Sequence, residues 1–156
     1  MNFKRNVDML LPDDYYKSFQ QVVEENGFKF EQHEVETEDG YLLTVFRVMN
    51  ADVAAGKKQP VVFMQHGLMD TADTWIMNFA EKAPGFMIAK AGYDVWFGNN
   101  RGNSYSNKHK TLDPVKDEEK FHDYGFRELG LYDMPAQIDM VLEKTGAKTV
   151  TYFGHS

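Results

Sequence analysis

The sequence contains no cysteine among its 156 residues, so neither a disulfide framework nor a thiolate metal site is available to it. The longest stretch without Asp, Glu, Lys or Arg is residues 59–69, about half of the ~20 apolar residues that a membrane-spanning helix needs. Basic residues are outnumbered by acidic ones, 17 to 24, and the net charge of -7 argues against a nucleic-acid partner.

Signals for secretion are also missing. Asp8 interrupts the short apolar run that follows Lys4 and Arg5, so we expect no signal peptide at this N-terminus. The sequence has no Asn-x-Ser/Thr sequon for glycosylation. What remains is the composition of a globular protein, with 42% hydrophobic and 26% charged residues, in a chain long enough for one domain.

The N-terminal third of the sequence predicts a helix followed by a hairpin. Asp13 and Asp14 suit a helix N-terminus, and Asn26-Gly27 suits its end. The apolar positions between them have helical spacing: Tyr15, Phe19, Val22 and Val23. Asp39-Gly40 then predicts a tight two-residue turn between strands at 34–38 and 41–48.

Three apolar runs in the remainder alternate with helical patterns. Residues 61–64, 93–97 and 149–153 are expected to be strands, the first of them buried, and the helix at 86–89 is stopped by Gly92. The last helix carries an apolar stripe, with Asp133 as N-cap and Gly146 at its end; the stripe consists of Met134, Ile138, Val141 and Leu142. This order predicts the α/β class, with a parallel sheet covered on both faces. The long polar stretch at 99–128 is expected to be functional or to contain a short helix.

Gly154-His155-Ser156 directly follows the third predicted strand, as the first half of a Gly-x-Ser-x-Gly nucleophile elbow does. An ordinary turn at a strand end explains the triplet equally well. Gln65-His66-Gly67-Leu68 follows the first parallel strand, where an N–H of an oxyanion hole is placed in α/β-hydrolases. The Leu68 amide fits that role, and His66 fits a core histidine bonded to the backbone better than a catalytic base.

Several motifs taken together resemble the N-terminal part of the acid lipase family, the group of gastric and lysosomal acid lipases. They are TEDGYLL at 37–43, QHGL at 65–68, GYDVWFGN at 92–99, RGN at 101–103, KH at 108–109, YDMPA at 132–136 and GHS at 154–156. The resemblance implies an α/β-hydrolase fold, in which residues 1–156 form a partial lipase domain. Its expected parts are an N-terminal helix and lead-in (1–33), a hairpin (34–48) and a βαβαβ core that ends in the elbow (60–156).

The resemblance also implies a function. Ser156 is then the nucleophile and Leu68 an oxyanion-hole amide, with support from His66, Gly67, Gly154 and His155. The family cleaves fatty-acyl esters such as triacylglycerols and cholesteryl esters without a metal or organic cofactor. A lipid ester substrate and a peripheral contact with a lipid surface are therefore expected. Relatives are typically secreted or lysosomal, which leaves the compartment open for a chain in which we expect no signal peptide.

Some residues carry alternative interpretations. Phe79, Phe86 and Trp96 are expected in the core, while Trp75 suits either the core or a substrate pocket. A metal site at His109, His122 and Asp123 is not favoured, because no i, i+4 ligand pair or thiolate supports it. At 121–125 the sequence FHDYG departs from the family pattern Phe-Trp-x-Phe-Ser, which affects local packing more than chemistry.

The catalytic triad of this fold runs in the order Ser, Asp or Glu, and His, but all five histidines precede Ser156. We therefore expect the 156-residue polypeptide by itself to be inactive and poorly soluble, and the full-length protein to be an active lipase or esterase. The alternatives are a non-catalytic α/β-hydrolase-like binding module and a truncated gene product.

Overall fold

The computed structural model describes residues 17–54 and 56–156. In chain order its helices and strands are α1 (Phe19–Glu25), β1 (Phe28–Glu36), β2 (Tyr41–Asn50), β3 (Val61–Gln65), α2 (Pro84–Lys90), β4 (Asp94–Gly98), β5 (Lys108–His109), α3 (Glu118–Phe121), α4 (Phe126–Glu128), α5 (Met134–Thr145) and β6 (Thr151–Gly154). A 3-10 turn at Ala72–Trp75 and a π-helical turn at Leu129–Asp133 complete the list. No helix in this described part of the chain has the length and apolar character needed to cross a membrane.

The predicted opening helix is confirmed over α1, where Ser18 caps it. The Ser18 hydroxyl accepts a hydrogen bond from the Gln21 N–H at 3.2 Å, and the Gln21 side chain accepts one from the Ser18 N–H at 2.8 Å. This reciprocal capping box satisfies two N–H groups at the start of the helix. Asp13, Asp14 and Tyr15, which the sequence placed in the same helix, lie outside the described residues.

The hairpin is longer than predicted, since β1 begins at Phe28 rather than at residue 34. Its turn is also wider than two residues. Thr37 and Tyr41 still pair, with the Thr37 N–H donating to the Tyr41 carbonyl at 2.8 Å, so the loop is Glu38-Asp39-Gly40. Gly40 has φ +96°, the left-handed conformation that closes a three-residue hairpin loop and that glycine adopts without strain.

The sheet has the order β1-β2-β4-β3-β6, with β5 paired to the far end of β2. β3 runs parallel to both β4 and β6, whereas β2 is antiparallel to β1 and β4. The three predicted parallel strands and the preceding hairpin are thus confirmed. β6 lies at the edge of the described sheet and its residues are exposed.

Helices cover the two faces of the sheet. Phe19 of α1 and Phe86 of α2 pack with Phe97 on one face, and Met140 and Val141 of α5 pack with Trp96 on the other. The core positions predicted for Phe86 and Trp96 are confirmed, since they are 1% and 0% exposed. The prediction for Phe79 is wrong: it lies between the 3-10 turn and α2, and its side chain is 69% exposed.

The α5 helix ends at Gly146 as predicted but does not begin as predicted. Asp133 has helical dihedral angles (φ -68°, ψ -48°) because the π-helical turn runs directly into α5. Its carboxylate binds Arg101 instead of capping the helix. The polar stretch at 99–128 does contain short helices, α3 and α4.

Candidate functional site

Three loops leave the sheet at one edge. The parallel register aligns Gln65 of β3 with Gly98 of β4 and with Gly154 of β6. Because the carboxyl ends of parallel strands meet there, residues 66–69, 99–103 and 155–156 emerge side by side. Ligand sites of open α/β sheets form at this edge.

Ser156 lies at the end of β6 in a strained backbone conformation. Its φ is +56°, in the left-handed region that residues other than glycine rarely adopt. The preceding residue is fixed to the central strand, because the His155 N–H donates to the Gln65 carbonyl at 3.1 Å. The structure therefore places the serine on a sharp turn directly after a strand.

Gly67 lies against this turn. A Cβ atom on Gly67 would stand 3.1 Å from the Ser156 Cβ and 3.0 Å from the His155 Nδ1, which is closer than ordinary van der Waals contact between such atoms. A larger residue at this position would require the loop at 155–156 to shift by a few tenths of an ångström. The predicted oxyanion loop and the predicted elbow are thus brought together.

The Leu68 N–H has no hydrogen-bond partner within 17–54 and 56–156. The neighbouring His66 is 5% exposed and holds this loop in place. Its Nδ1–H donates to the Gly67 carbonyl at 2.7 Å, and its Nε2 accepts from the Asn100 N–H at 3.1 Å. Burial lowers the pKa of His66, which favours the neutral ring that this bonding requires. The interpretation of His66 as a backbone-bonded core histidine is confirmed.

Trp75 lies between the core and the elbow. It is partly buried against the core cluster of α1 and α2. Its ring is also edge-on to the His155 ring, with 6.5 Å between centroids. Trp75 lines neither of the cavities described below, so its role in a substrate pocket stays a prediction.

Two cavities flank the wall formed by these loops. The larger, about 370 Å³, has Asp70, Thr71 and Asn103 in its lining. The smaller, about 250 Å³, contains Ser156 and is bordered by Phe126. Four residues line both cavities: His66, Leu68, Asn100 and Leu129.

Comparison with known proteins agrees with this geometry. The family described as alpha/beta hydrolase fold matches residues 60–156, and the partial alpha/beta-hydrolase lipase region matches residues 19–79. The chain belongs to the α/β-hydrolase fold family. Two solved esterases share the fold: one from Pyrococcus furiosus (TM-score 0.54, 17% identity, 88% of this chain and 42% of that one) and the bacterial brefeldin A esterase (TM-score 0.53, 20% identity, 83% and 32%).

Lipases of the acid lipase group are similar in sequence. Human lysosomal acid lipase/cholesteryl ester hydrolase is 46% identical over 132 residues, 83% of this chain and 33% of that protein. Bovine gastric triacylglycerol lipase is 42% identical over 138 residues (87% and 34%), and mouse lipase member M is 42% identical over 143 (90% and 33%). The chain spans about a third of the length of these relatives. The resemblance to the acid lipases is confirmed.

The structure contains a buried ion cluster beside the loops of this α/β-hydrolase site that was not predicted from the sequence. The Arg101 guanidinium donates to Asp133 at 2.7 Å and to both carboxylate oxygens of Asp39 at 2.6 and 2.8 Å, and it lies 3.8 Å from the Tyr41 ring centroid. Although partial burial acts against it, hydrogen bonding from Arg101 and Thr37 lowers the pKa of Asp39. Burial raises the pKa of Asp133, and its hydrogen bonds with Arg101 oppose that effect. The sequence does contain a signal for this cluster, because its three charged residues all lie in motifs shared with the acid lipases. Arg101 lies in RGN, Asp39 in TEDGYLL and Asp133 in YDMPA.

Asn99 is a second residue whose role the sequence did not reveal. It is 0% exposed, and its Nδ2 donates to the Thr44 carbonyl at 3.1 Å while its Oδ1 accepts from the Ala72 N–H at 3.0 Å. Its own N–H donates to Gln137 at 2.9 Å. One asparagine thus joins β2, the 3-10 turn and α5 at the base of the loop.

His109 and His122, two of the residues considered as metal ligands, form hydrogen bonds with different carbonyl groups. The His109 Nε2 lies 3.0 Å from the Asp39 carbonyl oxygen, and the His122 Nδ1 lies 2.9 Å from the Glu118 carbonyl oxygen. The described residues contain no group of three or more His, Cys, Asp or Glu arranged to hold a metal ion.

Proposed function

We propose that the protein containing this chain is a serine ester hydrolase that cleaves fatty-acyl esters, such as triacylglycerols or cholesteryl esters, through an acyl-enzyme on Ser156. The observation that carries the proposal is the strained position of Ser156 (φ +56°) directly against Gly67, beside the unpaired N–H of Leu68. A nucleophilic serine must be exposed on a turn, and the oxyanion that forms when it attacks must receive a hydrogen bond from a nearby N–H group. The names of the lipase relatives support the choice of lipid esters.

In this mechanism the Ser156 Oγ attacks the ester carbonyl carbon, and the Leu68 N–H donates to the carbonyl oxygen as it becomes an oxyanion. The donor is preorganised because His66 ties its loop to residues 99–103. Such a fixed donor contributes to catalysis without reorganisation during the reaction. The second oxyanion donor in this fold is the N–H of the residue after the nucleophile.

The general base must come from outside the described site. Of the two histidines nearest to Ser156, His66 has both ring nitrogens hydrogen-bonded and is held neutral by burial. His155 has its ring edge-on to Trp75. In this fold the acid and the base follow the nucleophile in sequence. We therefore propose that the 156-residue polypeptide alone does not turn over esters, and steady Ser156-dependent turnover by that polypeptide would contradict this.

The test is hydrolysis of p-nitrophenyl butyrate and trioleoylglycerol by the full-length protein and its Ser156→Ala variant. Loss of the nucleophile is expected to lower kcat by about a millionfold, the cost measured in a serine protease. Thr149→Ala removes an exposed hydroxyl from the same region and serves as the matched control. A fluorophosphonate should label the parent on Ser156 and leave Ser156→Ala unlabelled.

Two results would decide against the proposal. Hydrolysis by Ser156→Ala at the parental rate would exclude Ser156 as the nucleophile. Binding of lipid esters without turnover, equal in parent and variant, would instead favour the non-catalytic binding module.

We also propose that the rim of the site contacts a lipid surface. Leu68, Met69, Met77 and Phe79 expose 58%, 97%, 68% and 69% of their area. All four lie in the segment between β3 and α2, and Leu68 and Met69 line the larger cavity. Exposed apolar side chains clustered beside a cleft are typical of a surface that binds lipid or protein.

A further inference from the structure

The side chain of Asn103 contacts both ends of the loop that carries the Leu68 N–H. Its Nδ2 lies 3.2 Å from the His66 Nε2 at the start of this loop, and it donates to the Asp70 carbonyl at the end of the loop at 3.3 Å. The side chains in the middle of the loop are mostly exposed, 58% for Leu68 and 97% for Met69. Because such exposed side chains add little packing, the position of the loop depends on how its two ends are held.

The amide group of Asn103 is fixed in the orientation that these contacts require. Its Oδ1 accepts from the Tyr105 N–H at 3.0 Å and from the Ser106 N–H at 2.9 Å. Since a backbone N–H only donates, the oxygen must face residues 105–106 and the Nδ2 donor must face the loop. Ser106 is 0% exposed, and its hydroxyl accepts from the Thr44 N–H of β2 at 2.9 Å. Asn103 therefore connects the loop to a strand of the sheet.

We propose that Asn103 is a positioning residue for ester hydrolysis, which holds the Leu68 N–H where the oxyanion forms by donating to both ends of its loop. This rests on the proposed function of Ser156. An oxyanion donor is most effective when it is aimed at the developing charge before the reaction begins. Without Asn103 the far end of the loop loses its hydrogen bond at Asp70, which leaves the Leu68 N–H free to move.

The expected effect is on the rate rather than on substrate binding. Asn103 acts through Leu68 and not on the ester itself, so its loss should lower kcat and leave KM little changed. A misplacement of about 1 Å costs about a hundredfold in rate. Loss of folded protein would also lower the apparent kcat, so the test needs a measurement that is independent of the folded fraction.

The experiment compares p-nitrophenyl butyrate with its thionoester, in which sulfur replaces the carbonyl oxygen. Sulfur is a weak hydrogen-bond acceptor, so hydrolysis of the thionoester gains little from the Leu68 N–H. The ratio of kcat/KM for the ester to that for the thionoester therefore measures how well the oxyanion donor is placed. Because both substrates are assayed on one preparation of the full-length protein, the fraction of folded enzyme cancels.

Two variants remove the Asn103 donor in different ways. Asn103→Ala deletes the whole amide group, whereas Asn103→Asp keeps an acceptor for residues 105–106 and adds a negative charge. Loss of donation to the loop is the change that the two variants share. Asn107→Asp makes the same chemical change at an exposed position of the same segment and serves as the matched control.

Both Asn103 variants should lower the ratio by about tenfold, which is less than the loss of a hundredfold or more when an oxyanion donor is removed outright. Asn107→Asp should keep the parental ratio. The inference is overturned if either Asn103 variant keeps the parental ratio while hydrolysis still depends on Ser156: a fall in Asn103→Asp alone would assign the effect to charge, and a fall in Asn103→Ala alone to the contacts with residues 105–106. Hydrolysis that does not depend on Ser156 would instead refute the proposed function, and the inference with it.

Discussion

Replacing Arg101 by Met tests whether the buried ion cluster holds the site loops in place. The Arg101 side chain is 1% exposed and that of Asp133 is 0% exposed. Arg101 is the only residue in the described part of the chain that donates to the Asp133 carboxylate, through Nε at 2.7 Å and the backbone N–H at 2.9 Å. Arg101→Met leaves that carboxylate with the backbone donor alone, in a site that water does not reach.

The expected loss of stability follows from this burial. Removing one partner of a buried ion pair costs about 3–5 kcal/mol, because the remaining charge stays desolvated. Asp39 adds less, since its side chain is 29% exposed and water can solvate it. Arg101→Lys keeps the positive charge but loses the bidentate hydrogen bonding of the guanidinium. We therefore expect it to destabilise the protein less than Arg101→Met does.

The measurement is urea unfolding of the full-length protein, compared with Arg101→Met, Asp133→Leu and the double variant. If the penalty comes from the unpaired charge, the double variant is more stable than Arg101→Met, although it carries one more substitution. A double variant less stable than Arg101→Met would refute this explanation. So would a loss below about 1 kcal/mol for Arg101→Met, which is the value of an exposed ion pair.

Three further predictions concern the loops themselves. Burial lowers the pKa of His66, so the stability that its neutral form contributes is fully present above the unfolded pKa near 6.5. Between that pH and the lowered pKa of the folded state, the parent should lose up to about 1.4 kcal/mol per pH unit more than His66→Gln in urea unfolding, and equal slopes would contradict this. Gly67→Ala should lower kcat with KM little changed, because its Cβ requires Ser156 to shift by a few tenths of an ångström; the loss should be smaller than the roughly hundredfold cost of a 1 Å misplacement, and a parental kcat would show that the close approach is not needed. The double variant Met69→Glu/Phe79→Glu should bind phosphatidylcholine vesicles more weakly and hydrolyse emulsified trioleoylglycerol more slowly than the parent. It should cleave p-nitrophenyl butyrate at the parental rate. Unchanged vesicle binding would exclude the lipid contact.

The sequence predicted the elements whose side chains follow a period. The apolar runs at 61–64 and 93–97 became β3 and β4 with shifts of one residue at their ends, and the stripe beginning at Met134 became α5. The predicted length of the hairpin turn was wrong by one residue. The Asp-Gly dipeptide indicates a two-residue turn, but the pairing of Thr37 with Tyr41 leaves a loop of three residues. Phe79 was misplaced because hydrophobicity alone does not distinguish a core side chain from an apolar side chain that is exposed in a loop.

The candidate site was predictable in part, because its motifs lie directly after strands. Gly154-His155-Ser156 and Gln65-His66-Gly67-Leu68 each follow an apolar run, and parallel strands bring such loops to one edge. The unpaired state of the Leu68 N–H has no signal in the sequence. It depends on what else reaches this atom in three dimensions.

The loop at 99–103 shows why the polar part of the site lies beyond pattern analysis. Its consecutive residues bind in different directions: Asn99 to β2 and α5, the Asn100 N–H to His66, and Arg101 to the hairpin turn and Asp133. No period relates such partners, since each bond depends on a separate long-range contact. The proposed oxyanion loop is therefore held through His66 by a segment that is itself fixed by hydrogen bonds to several other elements. Hydrogen bonds thus connect Arg101 to the hairpin turn at Asp39, and the adjacent Asn100 N–H to His66, although residues 39 and 66 are far apart in sequence.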